Sequence, residues 1–243
     1  MLSSPIEQQE YIKSFGRRVG RTLTKTKLAI KASVMPELSL ELKAIFNLTE
    51  FFPQATKIAI EIGFGDGERL ANYALNNPEY GIIGCEPYIT GALSLAQIIQ
   101  ERNINNIRIF ADDARMLLKN IPDQSVDEFF ILFPDPWPKS KHHKRRIISS
   151  DMLLLLYSKL KASGILTIAT DHDDYAKWIF NHMRASNLFQ VEDDIEFYKN
   201  EPENWIKTKY QQRAEIKGKS CFFFQILKDH TSIPSNHSIR SRK

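Results

Sequence analysis

The chain has only two cysteines, Cys85 and Cys221. Each sits in an apolar, strand-like run, and neither has a partner at metal-binding spacing. That excludes a disulfide framework and a thiolate zinc site, and the pair reads as reduced core thiols of a cytoplasmic protein. Long hydrophobic runs are missing as well. No stretch approaches the roughly 20 apolar residues of a membrane span, and the N-terminus has no apolar signal core, so no membrane partner is expected. No internal repeat is present. Acid is missing from one region: between Glu10 and Glu37 lie Lys13, Arg17, Arg18, Arg21, Lys25, Lys27 and Lys31 without a single Asp or Glu. Residues 1–40 therefore read as a basic, flexible arm outside the core, with Tyr11 and Phe15 near its first cations, of the kind that docks on nucleic acid. The formal net charge is only +4, so the cations matter through where they cluster.

What remains is an alternation. Short apolar runs at 57–62, 81–86, 106–110, 126–133 and 165–170 are separated by helical spacing at 68–76, 89–102, from Met116, 147–160 and 175–186, with Asp173 or Asp174 as a cap. Strand–helix alternation predicts a mostly parallel sheet covered on both faces. Two later runs, 189–195 and 220–228, are expected to add an antiparallel C-terminal edge and bring the sheet to seven strands. Residues 41–228 read as one domain, and 229–243 as a polar tail.

Three of the ten glycines fall within five residues, Gly63, Gly65 and Gly67, directly after the first strand. A dinucleotide fingerprint spaces its glycines G-x-G-x-x-G to admit a pyrophosphate. Here the spacing differs, and Glu61, Asp66 and Glu68 make the turn acidic. An acidic turn repels phosphate and suits a cofactor with a cationic, phosphate-free end. S-adenosylmethionine, with an ammonium, a sulfonium, a ribose diol and an adenine, meets that description. Glu61 lies under the turn for the ammonium, directly or through water. Glu86 ends the second strand, where it accepts from the ribose hydroxyls. Asp113 follows the third strand toward the adenine amino group, with Asp112 as its rival. The fold class is accordingly α/β, a Rossmann-like class I methyltransferase sheet.

The fourth strand runs into Phe133-Pro134-Asp135-Pro136-Trp137-Pro138 and then Lys139-Ser140-Lys141-His142-His143-Lys144-Arg145-Arg146. Three prolines forbid helix and ladder alike. A stiff acid-aromatic loop at a strand's carboxyl end, fused to cations, reads as a reaction centre facing a polyanion. His142 and His143 sit among cations and lack a third ligand, so no metal is expected. Trp137 either stacks on a base or packs against its own loop.

These segments together resemble the bacterial tRNA (guanine-N7)-methyltransferases, which modify a guanine in the tRNA variable loop, position 46. The matching stretches are Ser14-Phe15-Gly16-Arg17-Arg18, Glu61-Ile62-Gly63-Phe64-Gly65-x-Gly67, Gly84-Cys85-Glu86-Pro87-Tyr88, Asp113-Ala114, Phe133 to Lys139, His142 to Arg146, Thr170-Asp171 and Thr208-Lys209-Tyr210. The resemblance implies a cofactor site on Glu61, Glu86, Asp113 and Asp135, yielding S-adenosylhomocysteine as product. It implies RNA contacts at Lys139, Asp171, Thr208, Lys209, Tyr210 and Gln211, and a basic RNA-binding run at Lys141, His142, His143, Lys144, Arg145 and Arg146. Asp135 is the expected catalytic carboxylate. Two departures stand out. The family usually has an acid where this chain has Gln211, and often an arginine where it has Lys141. The expected partner is tRNA, with the protein a monomer or homodimer. The alternatives are an amino-methyltransferase acting on a nucleic-acid base, whose usual Asn/Asp-Pro-Pro-aromatic order is absent, and a non-catalytic RNA-binding protein on the same scaffold.

Overall fold

In the computed structural model, residues 22–42 and 47–228 are described. The chain begins with α1 (Lys25–Ser33), α2 (Met35–Leu38) and α3 (Leu48–Phe51). Then come β1 (Lys57–Ile62), α4 (Glu68–Asn76), β2 (Tyr80–Cys85), α5 (Ile89–Arg102), β3 (Ile107–Phe110), α6 (Ala114–Asn120) and β4 (Val126–Leu132). A 3-10 turn at Ser140–Arg145 leads to α7 (Ser150–Lys159), β5 (Leu160–Thr170) and α8 (Asp173–Ser186). A second 3-10 turn, Ile195–Lys199, precedes α9 (Lys209–Ile216) and β6 (Phe222–Leu227).

The strands form one sheet in the order β3-β2-β1-β4-β5-β6. All neighbours are parallel except β5 and β6, which run antiparallel from Thr170↔Phe222 to Ile165↔Leu227. β1 lies in the interior, so its run Lys-Ile-Ala-Ile-Glu-Ile is buried on both faces from Ile58 onward, with Glu61 its single buried charge. Ile58, Ile60 and Ile62 enter the layer that holds Phe129, Ile131, Leu153 and Tyr175. Ala59 points the other way, into the layer of Ile82, Leu93, Leu95 and Phe130. Burying an Ile or Leu fully contributes about 1.5–3 kcal/mol, and truncating Phe129, which is 0% exposed, to Ala costs about 3–5 kcal/mol.

Several expectations are corrected. Among the described residues the sheet has six strands, because 189–195 forms none. β6 pairs with β5 alone, and 189–195 does not add to its outer side: Glu192, Asp193 and Asp194 favour turns over strand. Phe189 packs edge-on against Tyr157 instead. The part of the N-terminal segment that is described is not outside the core. Ile30, Met35, Leu38 and Leu40 are buried, and Lys27 Nζ ties α1 to α5 by donating to the Thr90 carbonyl at 2.9 Å and to Ser94 Oγ at 2.8 Å. The remaining arm residues, Lys13 to Arg21 with Tyr11 and Phe15, lie outside the described residues, as does the tail from 229. The cap of α8 is His172, whose ring accepts from the Tyr175 N–H, rather than Asp173 or Asp174. The helix expected at 147–160 spans only Ser150–Lys159, capped by Ser149.

Candidate active site

β1 and β4 are neighbours, yet the chain leaves them in opposite directions across the sheet: β1 continues to β2 on one side and β4 to β5 on the other. A crevice opens outside the carboxyl ends of strands at such a switch point. A cleft of about 1220 Å³ lies there, lined among others by Gly63, Gly65, Glu86, Asp113, Asp135, Trp137 and Tyr210. The glycine turn and the proline loop thus face each other by topology.

The glycines do different work. Gly63 and Gly65 line the cleft at φ +78° and +60°, in the left-handed region where a side chain is strained. Gly67 does not line it. It starts α4 at φ +79°, and a Cβ there would sit 2.6 Å from Leu95 Cβ, so its smallness lets α4 approach α5. Gly91, which sequence reasoning missed, belongs with this turn: a Cβ on it would lie 2.4 Å from the Gly65 carbonyl oxygen. An isolated glycine inside a helical pattern was its only signal.

The acids separate into three environments. Glu86 meets the cleft with both oxygens already oriented: Oε2 accepts from Gly65 N at 2.9 Å and Oε1 from Tyr88 N at 3.0 Å. Burial holds its carboxyl above the ordinary range against those two bonds, with Asp135 and Asp66 adding to the rise. Asp113 caps α6 and is gripped by Arg115, which donates Nε to Oδ1 at 2.9 Å and Nη2 to Oδ2 at 2.6 Å. Asp112 does not line the cleft and accepts from Asp113 N at 2.7 Å. Glu61 is 3% exposed and does not line the cleft. Arg69 Nη1 donates to its Oε2 at 2.8 Å, while burial pushes its carboxyl up against the pull of that cation.

The loop after β4 is held at both ends. Phe133 N donates to the Ala169 carbonyl at 2.8 Å, and Phe133 and Trp137 both adopt positive φ, at +52° and +43°. Non-glycine residues there cost on the order of 1–3 kcal/mol and persist only where their surroundings impose them. Trp137 packs against its own loop, with the Arg145 guanidinium 4.9 Å over its ring and His142 edge-on at 5.9 Å. Asp135 is exposed at the cleft. Lys139, Lys141 and Lys144 are exposed. Arg146 is not part of that surface. It is buried, paired with Asp174, bonded to the Pro136 carbonyl and stacked between Tyr175 and Trp178. His143 packs edge-on to Trp178. Loss of solvent and the cations Arg145, Lys141, Lys139 and Lys144 lower the pKa of His142, which favours its neutral ring.

Lys209, Tyr210 and Gln211 lie on the first turn of α9, capped by Thr208 Oγ1 accepting from Gln211 N at 3.0 Å. Lys209 pairs with Glu68 at 2.7 Å, which lowers the Glu68 carboxyl. Tyr210 is exposed and lines the cleft above Gly65. Gln211 is 1% exposed. Asp171 does not line the cleft and pairs with Lys219 at 2.9 Å. The arrangement therefore brings Glu86, Asp113, Asp135 and Tyr210 to one cavity. Glu61, Asp171 and Gln211 do not line it, and each is bonded to another side chain of the protein.

A family described as "Putative methyltransferase" matches residues 55–224. The fold is similar to that of an antibiotic-related methyltransferase (TM-score 0.56, 20% identity, 80% of this chain and 98% of that one). It is also similar to the 16S rRNA methyltransferase KamB (TM-score 0.53, 12% identity, 78% and 96%). At those identities the likeness speaks to the fold alone. Sequence relatives are nearer. A tRNA (guanine-N(7)-)-methyltransferase of Wolbachia pipientis is 46% identical over 171 residues, covering 70% of this chain and 74% of its own length. Those of Agrobacterium fabrum and Paramagnetospirillum magneticum are 35% and 37% identical, covering 88% and 86% of this chain and 94% and 90% of theirs. With likeness of that depth running over most of its length, the chain belongs to the tRNA (guanine-N(7)-)-methyltransferase family.

Proposed function

We propose that the protein transfers the methyl group of S-adenosylmethionine to N7 of a guanine in tRNA. The observation that carries this reading is the pairing of an oriented carboxylate, Glu86, with the Asp135 loop across one cleft that opens onto exposed cations.

The residues present fit the cofactor. Each Glu86 oxygen accepts one backbone N–H and keeps a further lone pair, which suits two neighbouring ribose hydroxyls. Gly63 and Gly65 leave room for close approach, and no phosphate-binding spacing competes. Asp113 Oδ2 accepts only from Arg115 Nη2 among the bonds described and has capacity for the adenine amino group. The cofactor supplies an electrophilic methyl on a sulfonium.

Guanine N7 carries an in-plane lone pair, so no base has to remove a proton before attack. The work left to the protein is alignment and electrostatics. Methylation makes the purine cationic, and the exposed Asp135 carboxylate at the cleft is suited to stabilise the developing charge. Lys139, Lys141 and Lys144 provide phosphate contacts whose strength falls with salt. Buried Arg146 acts behind them by holding the loop in place. Incubation with methyl-labelled cofactor and unmodified tRNA, followed by digestion to nucleosides, tests the reading. Label in 7-methylguanosine is expected; label in another nucleoside, or tRNA binding without transfer, overturns it.

A further inference from the structure

Both polar ends of the Gln211 amide are committed to protein partners. Its Oε1 accepts from Trp205 Nε1 at 2.6 Å. Its Nε2 donates to Glu201 and, at 2.9 Å, to Glu215 Oε1. The side chain is 1% exposed, so it is not presented to a base.

Trp205 connects this knot to the glycine turn. The Arg69 guanidinium lies 5.9 Å from its ring and 4.1 Å from that of Phe130, and the same guanidinium holds Glu61. Lys209, two residues before Gln211, reaches the neighbouring Glu68 at 2.7 Å. The first turn of α9 is therefore fastened to the first turn of α4 through adjacent residues, Glu68 and Arg69. Tyr210 lies between the two fastenings, with its ring edge 3.8 Å from where a Cβ on Gly65 would be.

We infer that Gln211 is a positioning residue rather than a guanine contact: its amide pins α9 to the glycine turn, through Trp205 and Arg69, and so sets Tyr210 as the wall of the cofactor end of the cleft. An acid at this position would place a third carboxylate against Glu201 and Glu215 and lose both donated bonds. The groups facing the amide are Glu201, Glu215 and Trp205, with Lys207 bridging both glutamates at 3.5 and 2.8 Å and the Cys221 thiol within their field. This deepens the methyl-transfer reading and rests on it for the identity of the cofactor.

The test is Gln211→Glu, which keeps the size of the side chain and replaces its donor by a carboxylate. Binding of S-adenosylhomocysteine is measured by calorimetry from about pH 8 to about pH 5.5, and the variant is compared with the wild type at each pH so that titration elsewhere cancels. The inference expects binding weaker by about tenfold at the alkaline end, the usual consequence of like charges and lost bonds in a buried site. The difference closes as pH falls, because a carboxyl among carboxylates takes up its proton early and then donates as the amide does. The double variant Q211E/E215Q, which restores a donor–acceptor pair, is expected to recover binding at alkaline pH. Trp205→Phe, which keeps the ring and removes only the N–H, should weaken binding by about threefold with KM for cofactor raised and kcat little changed; it serves if Q211E does not fold. Unchanged S-adenosylhomocysteine binding in Q211E at pH 8, or a raised kcat/KM for tRNA, would overturn the inference. Binding of this product needs no tRNA, so failure of the tRNA assay alone would strike the substrate reading and leave the pin intact.

Discussion

Arg146 donates its Nε to the carbonyl of Pro136 at 2.8 Å, from inside the protein. A residue at the end of the cationic run thus fixes the loop that carries Asp135. Its other anchor, Asp174, sits on the first turn of α8 and is held below the ordinary carboxylate range by that guanidinium. Arg146→Met should remove the anchor while filling much of the volume. We expect a loss of stability of about 1–3 kcal/mol by urea denaturation, as for an unpaired buried carbonyl. Methyl transfer should fall further than S-adenosylhomocysteine affinity does; equal loss of both would mean the loop is not what Arg146 holds.

Asp135 is exposed, so its removal leaves no buried defect. Asp135→Ala should fold as the wild type and keep most of its tRNA affinity. Turnover should drop by about 10²-fold or more, the scale for losing one electrostatic partner of a developing charge. Single-turnover assays with saturating tRNA give the comparison, and near-normal rates would show that the carboxylate is not used.

Lys141 and Lys144 differ from Arg146 in being exposed. Replacing either by Ala should weaken tRNA binding at low salt and reduce the slope of log K against log salt by about one for each phosphate no longer neutralised. An unchanged slope would place the RNA elsewhere on the surface.

Glu86 gives a pH dependence of definite sign. Burial raises its pKa in the folded protein above the unfolded value. Its contribution to stability is therefore present below the unfolded carboxylate range and is lost as pH rises through the raised value. Cofactor binding runs the other way, because only the carboxylate accepts from both ribose hydroxyls. S-adenosylhomocysteine affinity should fall on acidification with a midpoint above the usual carboxylate range. Glu86→Gln should bind more weakly and without that dependence; retention of the same midpoint would assign it to another group.

Gly91→Ala asks whether α5 must touch the glycine turn. The added methyl would sit 2.4 Å from the Gly65 carbonyl oxygen, a clash with backbone that cannot yield cheaply. Overpacking of this kind costs about 1–3 kcal/mol. A thermal melt should show the loss, and cofactor affinity should fall with it because Gly65 also feeds the Glu86 carboxylate.

The parts of this design written locally were the ones legible in the chain. A strand, a glycine cluster and an acid at the next strand's end are short-range signals, and they located the cleft, Glu86 and the proline loop. Partnerships between distant elements were not legible. Arg146 looks like its neighbours Lys144 and Arg145 until Asp174 and Trp178 enclose it. Glu61 reads as a free acid until Arg69 folds back on it. Residues 189–195 have strand-like ends, but Phe189 is drawn to Tyr157, which lies far from it in the sequence, and the acids that follow turn the chain. Asp171 shows the same limit, since Lys219 reaches it from far along the chain.

The antiparallel strand at the end of the sheet sets an order of events during synthesis. β1, β2 and β3 emerge first and pair through crossovers, so the turn and Glu86 can form early. α9 and β6 emerge last, and they carry Tyr210 over Gly65 and Phe222 and Phe224 into the core. Domains fold as they are made, so the cleft lacks its Tyr210 wall until α9 has been synthesised and docked.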